Sequence, residues 1–407
     1  MRLRSYAAVA AQVPLAVVTV PAAVGLAAAR RLRRPARRPA VLFGMTPIIN
    51  IKYWSRALRR SGYVSESLVY EVYSINEPGD FDYLPARLFP RLAGLPGFGL
   101  LARYLCFVWS LRRFDVLVLD FDGGCLRGTI LQYAELPLRR LARQRIVSIP
   151  YGSDAMDVRR FRNPAARDAV LQDYPALADH ADRIARRVRH QSRWSSVIVC
   201  GGMMVDFLPR HDVLVTSPLA VDTEEWRPAR AARDDGVVRI LHAPNHRHVK
   251  GTAALEAACE ELRGEGLPVE LVLRERVPNA EIRKAMADVD IVASAFVLGF
   301  YELFAIEGMA MAKPVLNYWR PDLLELYSRE SYAAKCPVVD APPGGIADAL
   351  RRLAADPELR RRLGEEGRRY VERHHSYEAI GELFEQIVER AWASVVPRSV
   401  VREERLA

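Results

Sequence analysis

The sequence has few cysteines, and no two of them are spaced like the ligands of a metal site. The five are scattered singly over 407 residues, at Cys106, Cys125, Cys200, Cys259 and Cys336. A disulfide scaffold or a structural zinc module needs closely spaced pairs, so neither class is indicated. An odd number of isolated thiols is typical of a reducing compartment. Half of the residues are hydrophobic, which predicts a globular fold.

Acidic residues are absent from the first 39 positions, which carry eight arginines. The net charge of the whole chain is +10, yet the residues after position 39 carry 51 basic and 49 acidic side chains. A nucleic-acid-binding protein needs a basic surface on its folded body. We therefore expect no nucleic-acid partner, and the positive charge is confined to the N-terminal segment.

An uncharged stretch, residues 5–29, lies inside this basic segment. As a helix it would reach roughly 37 Å, enough to cross a bilayer, although two prolines interrupt it. Arginines at 30–38 follow it, and such clusters bind anionic lipid on the cytoplasmic side. We expect residues 1–39 to be a membrane-associated segment at the cytoplasmic face of the cell membrane. Two alternatives stay open: a signal peptide cleaved near residues 27–29, and a helix packed on the fold.

Short apolar strands alternate with longer helical patterns over the rest of the chain, which predicts parallel sheets covered by helices on both faces. The alternation starts twice, so two α/β domains facing a cleft are expected. Their bounds are 40–217 for the first domain, 218–236 for a crossover and linker, and 237–376 for the second, with a helix at 377–407 returning towards the first. Within the first domain, residues 69–74 predict a strand and residues 164–191 a long helical stretch.

Two motifs in the second half carry most of the chemical information. Residues 299–315 read Gly-Phe-Tyr-Glu-Leu-Phe-Ala-Ile-Glu-Gly-Met-Ala-Met-Ala-Lys-Pro-Val, and residues 242–252 read His-Ala-Pro-Asn-His-Arg-His-Val-Lys-Gly-Thr. Both resemble the retaining glycosyltransferases of the family-4, or group 1, type. The run 356–370 is similar to that family's C-terminal helices, and 218–228 to its interdomain crossover. The resemblance implies the GT-B fold, with two Rossmann-like domains, and transfer of a sugar from a nucleotide-diphosphate donor with retained configuration.

Cationic side chains cluster after the first strand of the second domain. Breaking the bond between sugar and phosphate builds charge on the leaving diphosphate, and a positioned cation stabilises that charge. The resemblance assigns Lys250 to the diphosphate; the alternative is a solvated lysine at a helix end. Arg247, three residues earlier, can add a bidentate contact. The family's arginine usually stands where this chain has Asn245, which we also place at the donor.

A helix predicted over 304–312 carries the second motif. Glu307 matches the second glutamate of the family's Glu-x7-Glu pattern, which binds the ribose hydroxyls of the donor; the alternative is an exposed glutamate in the first turn. Gly299 stands in place of the first glutamate. Glu302 either takes over contacts to the sugar or caps the helix. The amides of Leu303 and Phe304 start the helix and can face the donor phosphate.

The first domain contributes two candidates at strand ends. Gly152-Ser153-Asp154 resembles a family segment that reads His-Gly-Ser-Asp, with Tyr151 in place of the histidine. Asp154 follows a strand at the edge where ligands bind, so it either serves the reaction at the acceptor, as a catalytic residue, or fixes its loop. Gly44 ends the first strand, and its bare backbone is expected to approach the donor. The acidic loop 120–124 has no assigned role.

Together these residues predict a nucleotide-sugar-dependent hexosyltransferase that binds its donor on the second domain. Its acceptor, an envelope glycolipid or polysaccharide, would lie on the first domain, and closure would exclude water. No metal cofactor is expected, because no carboxylate or cysteine completes a ligand set with His242, His246 and His248. Two alternatives stay open. One is a non-catalytic GT-B subunit that binds a partner or lipid, and the other is a sugar-nucleotide epimerase of the same fold.

Overall fold

The computed structural model describes residues 9–33, 36–73, 76–228, 233, 235–328 and 331–393 of the chain. Over these ranges the strands form two parallel sheets, one of six strands and one of five. The strands are β1 Val41–Met45, β2 Ser65–Val69, β3 Val116–Leu119, β4 Arg145–Ser148, β5 Val197–Gly201, β6 Val213–Val215, β7 Val238–His242, β8 Val269–Leu273, β9 Ile291–Ala293, β10 Val315–Asn317 and β11 Val339–Asp340.

Helices flank both sheets. They are α1 Val13–Leu32, α2 Ile49–Arg60, α3 Pro85–Leu88, α4 Phe98–Arg113, α5 Glu135–Leu141, α6 Pro164–Asp173, α7 Ala176–Trp194, α8 Arg247–Lys250, α9 Thr252–Gly264, α10 Asn279–Ala287, α11 Leu303–Ala310, α12 Pro321–Leu324, α13 Ile346–Ala355, α14 Pro357–His374 and α15 Tyr377–Trp392.

The first sheet has the strand order β2-β1-β3-β4-β5-β6. Its central strands β1 and β3 are apolar on both faces, because successive side chains point to opposite sides and both sides are covered. Along β1, Val41 and Phe43 pack in one apolar cluster with α2 and α15. Leu42, between them, packs in another with α1, α4 and α5. The C-terminal helix α15 thus completes the core of the first domain.

The second sheet has the strand order β11-β10-β9-β7-β8. Its two faces carry separate apolar clusters, so that along β7 Ile240 packs with α9 and α13 while Leu241 packs with α10, α11 and α14. The predicted architecture of two doubly wound α/β domains is therefore present, as is the apolar N-terminal helix.

Two elements differ from the sequence-based expectation. The strand expected at 69–74 lies at Ser65–Val69, because the polar segment pairs residue by residue with β1, and pairing overrides strand propensity. The helical stretch expected at 164–191 is two helices, α6 and α7. The break falls at Tyr174 and Pro175, since proline disfavours helical backbone in the residue before it.

Helix α1 packs on the first domain against α4 and α5. Its inner face presents small residues, including Ala23 and Ala27, which are buried. Arg30 anchors its C-terminal end through an ion pair of 2.5 Å with Asp115 and a hydrogen bond to the Ala142 carbonyl. Several valines of the outer face are exposed, so the helix is apolar on the packed side and on the open side.

Candidate active site

Both sheets reverse their winding direction at one point, between β1 and β3 in the first and between β7 and β9 in the second. In open parallel sheets, ligands bind beyond the carboxyl ends of the strands at such a point. In the second domain the loops after β7 and β9 meet there. They are joined by a hydrogen bond of 3.1 Å from the Phe296 amide to the Lys250 carbonyl.

Lys250 and Glu302 come from these two loops and form an ion pair. The Lys250 side chain is 12% exposed, so it is not a solvated lysine at a helix end. Gly251, with φ of +71°, turns the chain sharply between α8 and α9; a Cβ there would lie 2.9 Å from Phe296 Cβ. Glu302 precedes α11 but its side chain makes no capping hydrogen bond. The side chain of Glu302 therefore pairs with Lys250 and does not cap the helix, and its contact with the donor sugar stays a prediction.

A cleft of about 190 Å³, here called the donor cleft, opens at this point. It contains most of the donor-binding residues expected from the sequence. The expected residues that line it are Asn245, Lys250, Glu302, Leu303, Phe304 and Glu307. The amides of Leu303 and Phe304, in the first turn of α11, have no acceptor within the helix.

Arg247 does not reach the donor cleft. Its guanidinium pairs with Glu256 at 2.5 Å and with Glu275 at 3.2 Å, on the exposed side of α8. Lys250, by contrast, adjoins the loop after β9, where its carbonyl accepts the hydrogen bond from the Phe296 amide.

Two arginines that sequence reasoning missed line the donor cleft instead. Arg274 and Arg276 follow β8 directly, and neither has an acidic partner in the ranges that the structure describes. Arg276 has φ of +55°, an uncommon conformation for a residue with a side chain. The available signal was their position at a strand end, since β8 adjoins β7 and its carboxyl end opens on the same crevice.

Glu307 lies at the inner wall of the donor cleft on α11. It is 4% exposed, which excludes the alternative of an exposed first-turn glutamate. Burial raises the pKa of its carboxyl to about 8, and a hydrogen bond of 3.3 Å from Asn279 acts in the opposite direction. A buried carboxylate with a single side-chain donor retains the capacity to accept further hydrogen bonds.

The three histidines of the β7 loop each have another partner. In His242 the Nδ1 donates to the Ala293 carbonyl at 2.8 Å and the Nε2 accepts from the Thr252 hydroxyl at 3.0 Å; burial lowers its pKa to about 4. His246 bonds to Tyr174 and His248 to Asp173, both on the first domain. Across the described part of the chain, no group of three or more His, Cys, Asp or Glu side chains could hold a metal ion.

A second cleft of about 290 Å³, here called the apolar cleft, lies between the two domains. Its walls are the residues that follow β4, β5 and β6 and the loop that precedes α11. Glu302 and Leu303 line both clefts, so the two cavities meet at the start of α11.

Asp154 is buried beside the apolar cleft but does not line it. Its carboxylate accepts hydrogen bonds from the amides of Phe121 and Gly152, both at 2.8 Å, and of Tyr151 at 3.1 Å. Burial and the nearby Asp120 hold the pKa of its carboxyl well above the usual range. This geometry favours the loop-fixing alternative over contact with the acceptor.

Gly44 lies inside β1 rather than at an open strand end. It is paired with Leu68 and Leu119 on its two sides, and a Cβ there would collide with the Leu68 carbonyl oxygen. The glycine is required by strand packing, and it lines neither cleft.

The acidic loop after β3 is held in place by ion pairs and a hydrogen bond to Asp122. Asp122 pairs with Arg127 at 3.0 Å and with Arg187 at 2.8 Å, and it accepts a hydrogen bond of 3.0 Å from the Tyr151 hydroxyl. Tyr151, which stands where the family has histidine, lines the apolar cleft with its hydroxyl already engaged.

Part of the chain matches a known family, and most of it resembles proteins of known activity or structure. Residues 231–386 match the family described as "Glycosyl transferase-like". The MMP alpha-(1->4)-mannosyltransferase of Mycolicibacterium hassiacum is 27% identical over 312 residues, which are 70% of this chain and 73% of that protein. The catalytic domain of starch synthase IV from Arabidopsis thaliana, bound to ADP and acarbose, covers 88% of this chain and 100% of its own with a TM-score of 0.56 at 11% identity. Anabaena HepE in complex with UDP-glucose covers 88% and 100%, with a TM-score of 0.51 at 12% identity.

These structural neighbours share the arrangement of two Rossmann-like domains around a cleft, so the predicted GT-B fold is confirmed. The family match over residues 231–386 and the mannosyltransferase relative support a glycosyltransferase. The predicted resemblance to the group 1 type is likewise confirmed.

Proposed function

We propose that this glycosyltransferase transfers a hexose from a nucleoside-diphosphate sugar, bound in the donor cleft, to an acceptor bound against the first domain. The observation that carries the proposal is the convergence of three cationic side chains and one buried carboxylate on a single cleft. Lys250, Arg274 and Arg276 supply positive charge, and Glu307 supplies hydrogen-bond acceptors.

The charges match the two parts of a nucleotide donor. A diphosphate carries negative charge that grows as the sugar leaves, and cations fixed in place stabilise that growth. The free amides at the start of α11 add donors of the same polarity. A ribose presents two neighbouring hydroxyls, which suit the two oxygens of Glu307. Cationic side chains can neutralise the diphosphate, so we propose that no metal cofactor is needed.

The reaction then forms one bond and breaks one. The acceptor hydroxyl oxygen bonds to the anomeric carbon of the sugar, and the bond from that carbon to the phosphate oxygen breaks, leaving its electron pair on the diphosphate. The proton of the acceptor hydroxyl leaves on a phosphate oxygen. Retained configuration is part of this proposal, on the strength of the resemblance to retaining enzymes. The mannosyltransferase relative favours mannose as the hexose.

An envelope glycolipid or polysaccharide is the proposed acceptor, at the cytoplasmic face of the membrane. The feature behind this placement is α1, a helix long and apolar enough to cross a membrane by length and composition. Arg31 and Arg33 are exposed at its C-terminal end, where anionic headgroups would attract them.

A thermal-shift screen tests the proposal. We expect the melting temperature of the full chain to rise with the diphosphate and the diphosphohexose of one base among uridine, guanosine and adenosine, because ligand that binds only the folded state stabilises it. The matching monophosphate should give a smaller shift, and a chelator should change neither shift nor turnover. Absence of any shift with all three bases would overturn the donor assignment. Binding without transfer to any acceptor would favour the non-catalytic alternative.

A further inference from the structure

Most of the surface of the apolar cleft is hydrocarbon and sulfur, although Asn50, Thr216 and Ser217 also line it. Trp54, Ile149 and Met156 contribute from the first domain, together with Met203 and Met204 after β5, and Leu298 and Phe300 close it from the second domain. Charged groups are confined to its mouth, where Glu302 lies. Methionine side chains are flexible and polarisable, so such walls adapt to apolar ligands of irregular shape.

Three of the polar side chains that line this cleft, Trp54, Tyr151 and Tyr301, are already bonded within the protein. The Trp54 indole donates to the Pro218 carbonyl at 2.6 Å, and the Tyr301 hydroxyl bonds to Tyr370 at 3.1 Å and to His375 at 3.0 Å. The Tyr151 hydroxyl is held by Asp122.

Backbone groups along the same walls are engaged in the same way. The Gly202 amide donates to the Tyr327 hydroxyl at 2.9 Å, and the Ser217 amide to the Tyr332 hydroxyl at 3.1 Å. A sugar ring in this cleft would find few hydrogen-bond partners beyond the side chains of Asn50, Thr216 and Ser217, and each unpaired buried hydroxyl is costly.

The cleft also has a defined direction. Its mouth is shared with the donor cleft at Glu302 and Leu303, so a ligand filling it would place one end beside the donor sugar. An acceptor needs its nucleophilic hydroxyl at that point and nowhere else.

We propose that the apolar cleft binds the hydrocarbon part of a lipid acceptor, with the acceptor hydroxyl at Glu302. This inference rests on the proposed function and narrows the acceptor to an amphiphile. A polysaccharide acceptor, by contrast, would meet walls that are mostly apolar and offer it few hydrogen-bond partners.

Binding of alkyl β-glucosides below their micelle concentration tests the inference without any donor. The probes are methyl, butyl, hexyl and octyl β-glucoside, measured by calorimetry on the full chain. We expect one saturable site, with affinity rising about fourfold for each methylene that enters the cleft. Non-saturable uptake, or affinity independent of chain length, would overturn the inference.

Two variants locate the site, and one matched control excludes other apolar surfaces. Leu298→Asn should weaken octyl glucoside binding about tenfold, because it removes half-buried apolar contact. Asn50→Leu, which makes the wall more apolar, should strengthen it. Leu141→Asn changes an exposed leucine on α5, outside the cleft, and should leave binding unchanged. Equal affinity for octyl glucoside in Leu298→Asn, Asn50→Leu and the parent would show that the ligand does not bind in the apolar cleft.

Nucleotide binding separates this inference from the proposed function. Nucleoside diphosphate should bind Leu298→Asn as it binds the parent, since Leu298 lines only the apolar cleft. If the parent binds nucleoside diphosphate but no alkyl glucoside, the lipid acceptor alone is overturned, whereas failure of the nucleotide to bind the parent overturns the donor assignment.

Discussion

Lys250 is the residue on which the proposed donor site depends most, because Glu302 and the turn at Gly251 hold its ammonium group in position. Lys250→Ala should lower kcat/KM about 100-fold or more, since a cation positioned at developing charge is lost. Arg247→Ala is the matched control. It removes a half-exposed cation that pairs with two exposed carboxylates, so activity should stay within about twofold of the parent.

Steady-state kinetics with the stabilising nucleotide sugar, on variants whose melting temperatures match the parent, make this comparison. A loss of less than threefold in folded Lys250→Ala would remove Lys250 from the diphosphate site. A large loss in Arg247→Ala would show instead that the exposed face of α8 takes part.

Glu307 predicts a pH dependence of nucleotide binding. Burial raises the pKa of its carboxyl from 4.5 to about 8, so the group is mostly protonated at neutral pH in the free protein. Ribose hydroxyls donate to the ionised carboxylate, so affinity should rise about tenfold per pH unit up to about pH 8 and then level off. Calorimetry of nucleoside diphosphate binding between about pH 6 and 9 measures this.

Glu307→Gln supplies the control, because the same ligand titrates in both proteins and only the carboxyl differs. The ratio of the nucleoside diphosphate affinities of parent and variant should therefore rise with the ionised fraction of the Glu307 carboxyl. The contribution of Glu307 to folding stability changes in the opposite direction. Its pKa is higher in the folded than in the unfolded chain, so this contribution is full below about pH 4.5 and is lost as the pH rises through about 8. Parallel affinity curves for parent and variant would contradict the ribose assignment.

Sequence reasoning reached some of these residues because they lie inside motifs. The resemblance of their motifs to the group 1 family predicts both Lys250 and Glu307, and the structure brings both to one cleft. For Asp154 the sequence left two roles open, and only the three amides bound to its carboxylate favour one of them. Arg274 and Arg276 lie outside any motif, so finding them required the neighbouring positions of β7 and β8.

At the scale of elements, the turn after β8 positions the two missed arginines. Arg276 has φ of +55°, which costs a residue with a side chain about 1 kcal/mol or more. Arg276→Gly relieves that cost and removes the charge. Folding stability should therefore stay equal or rise while nucleoside diphosphate affinity falls about tenfold. Melting temperature and calorimetry measure the two effects separately.

Arg143→Gly is the matched variant for this prediction. Arg143 has φ of +58° and lies in the turn before β4, outside both clefts. The two variants should resemble each other in stability and differ in nucleotide affinity. Equal affinity in both would show that Arg276 adopts its conformation for reasons unrelated to the donor.

Elements with clear periodicity could be predicted, and those set by distant pairing could not. The buried strands β1 and β3 are apolar on both faces, so their sequences predict a parallel sheet covered on both sides. The polar strand β2 forms only because β1 offers it a free edge. The break between α6 and α7 brings Asp173 and Tyr174 against the β7 loop of the other domain, and no local signal shows that contact.

At the scale of the whole molecule, α1 packs on the folded body, whether or not its outer face also contacts a membrane. Arg30 of α1 is 11% exposed and its partner Asp115, in the first domain, is 21% exposed. Just before the helix, the Gln12 side chain accepts a hydrogen bond of 3.2 Å from the Tyr104 hydroxyl. Deleting residues 1–39 would leave Asp115 without its cation, and breaking a partly buried pair in this way destabilises a fold. Point changes on the outer face are therefore a better test of membrane contact than truncation.

The outer face of α1 should insert into an anionic membrane while its arginines hold the headgroups. Val17 and Val18 are 65% and 71% exposed, so changing both to Asp should leave the fold intact and abolish the part of vesicle binding that salt does not remove. Val64→Asp, at a valine 59% exposed outside α1, should bind vesicles like the parent. Sedimentation with phosphatidylserine vesicles, at low and high salt, measures both parts. If the Val17→Asp, Val18→Asp double variant sediments like the parent at high salt, the valines do not enter the bilayer, and α1 is a helix that serves the fold alone.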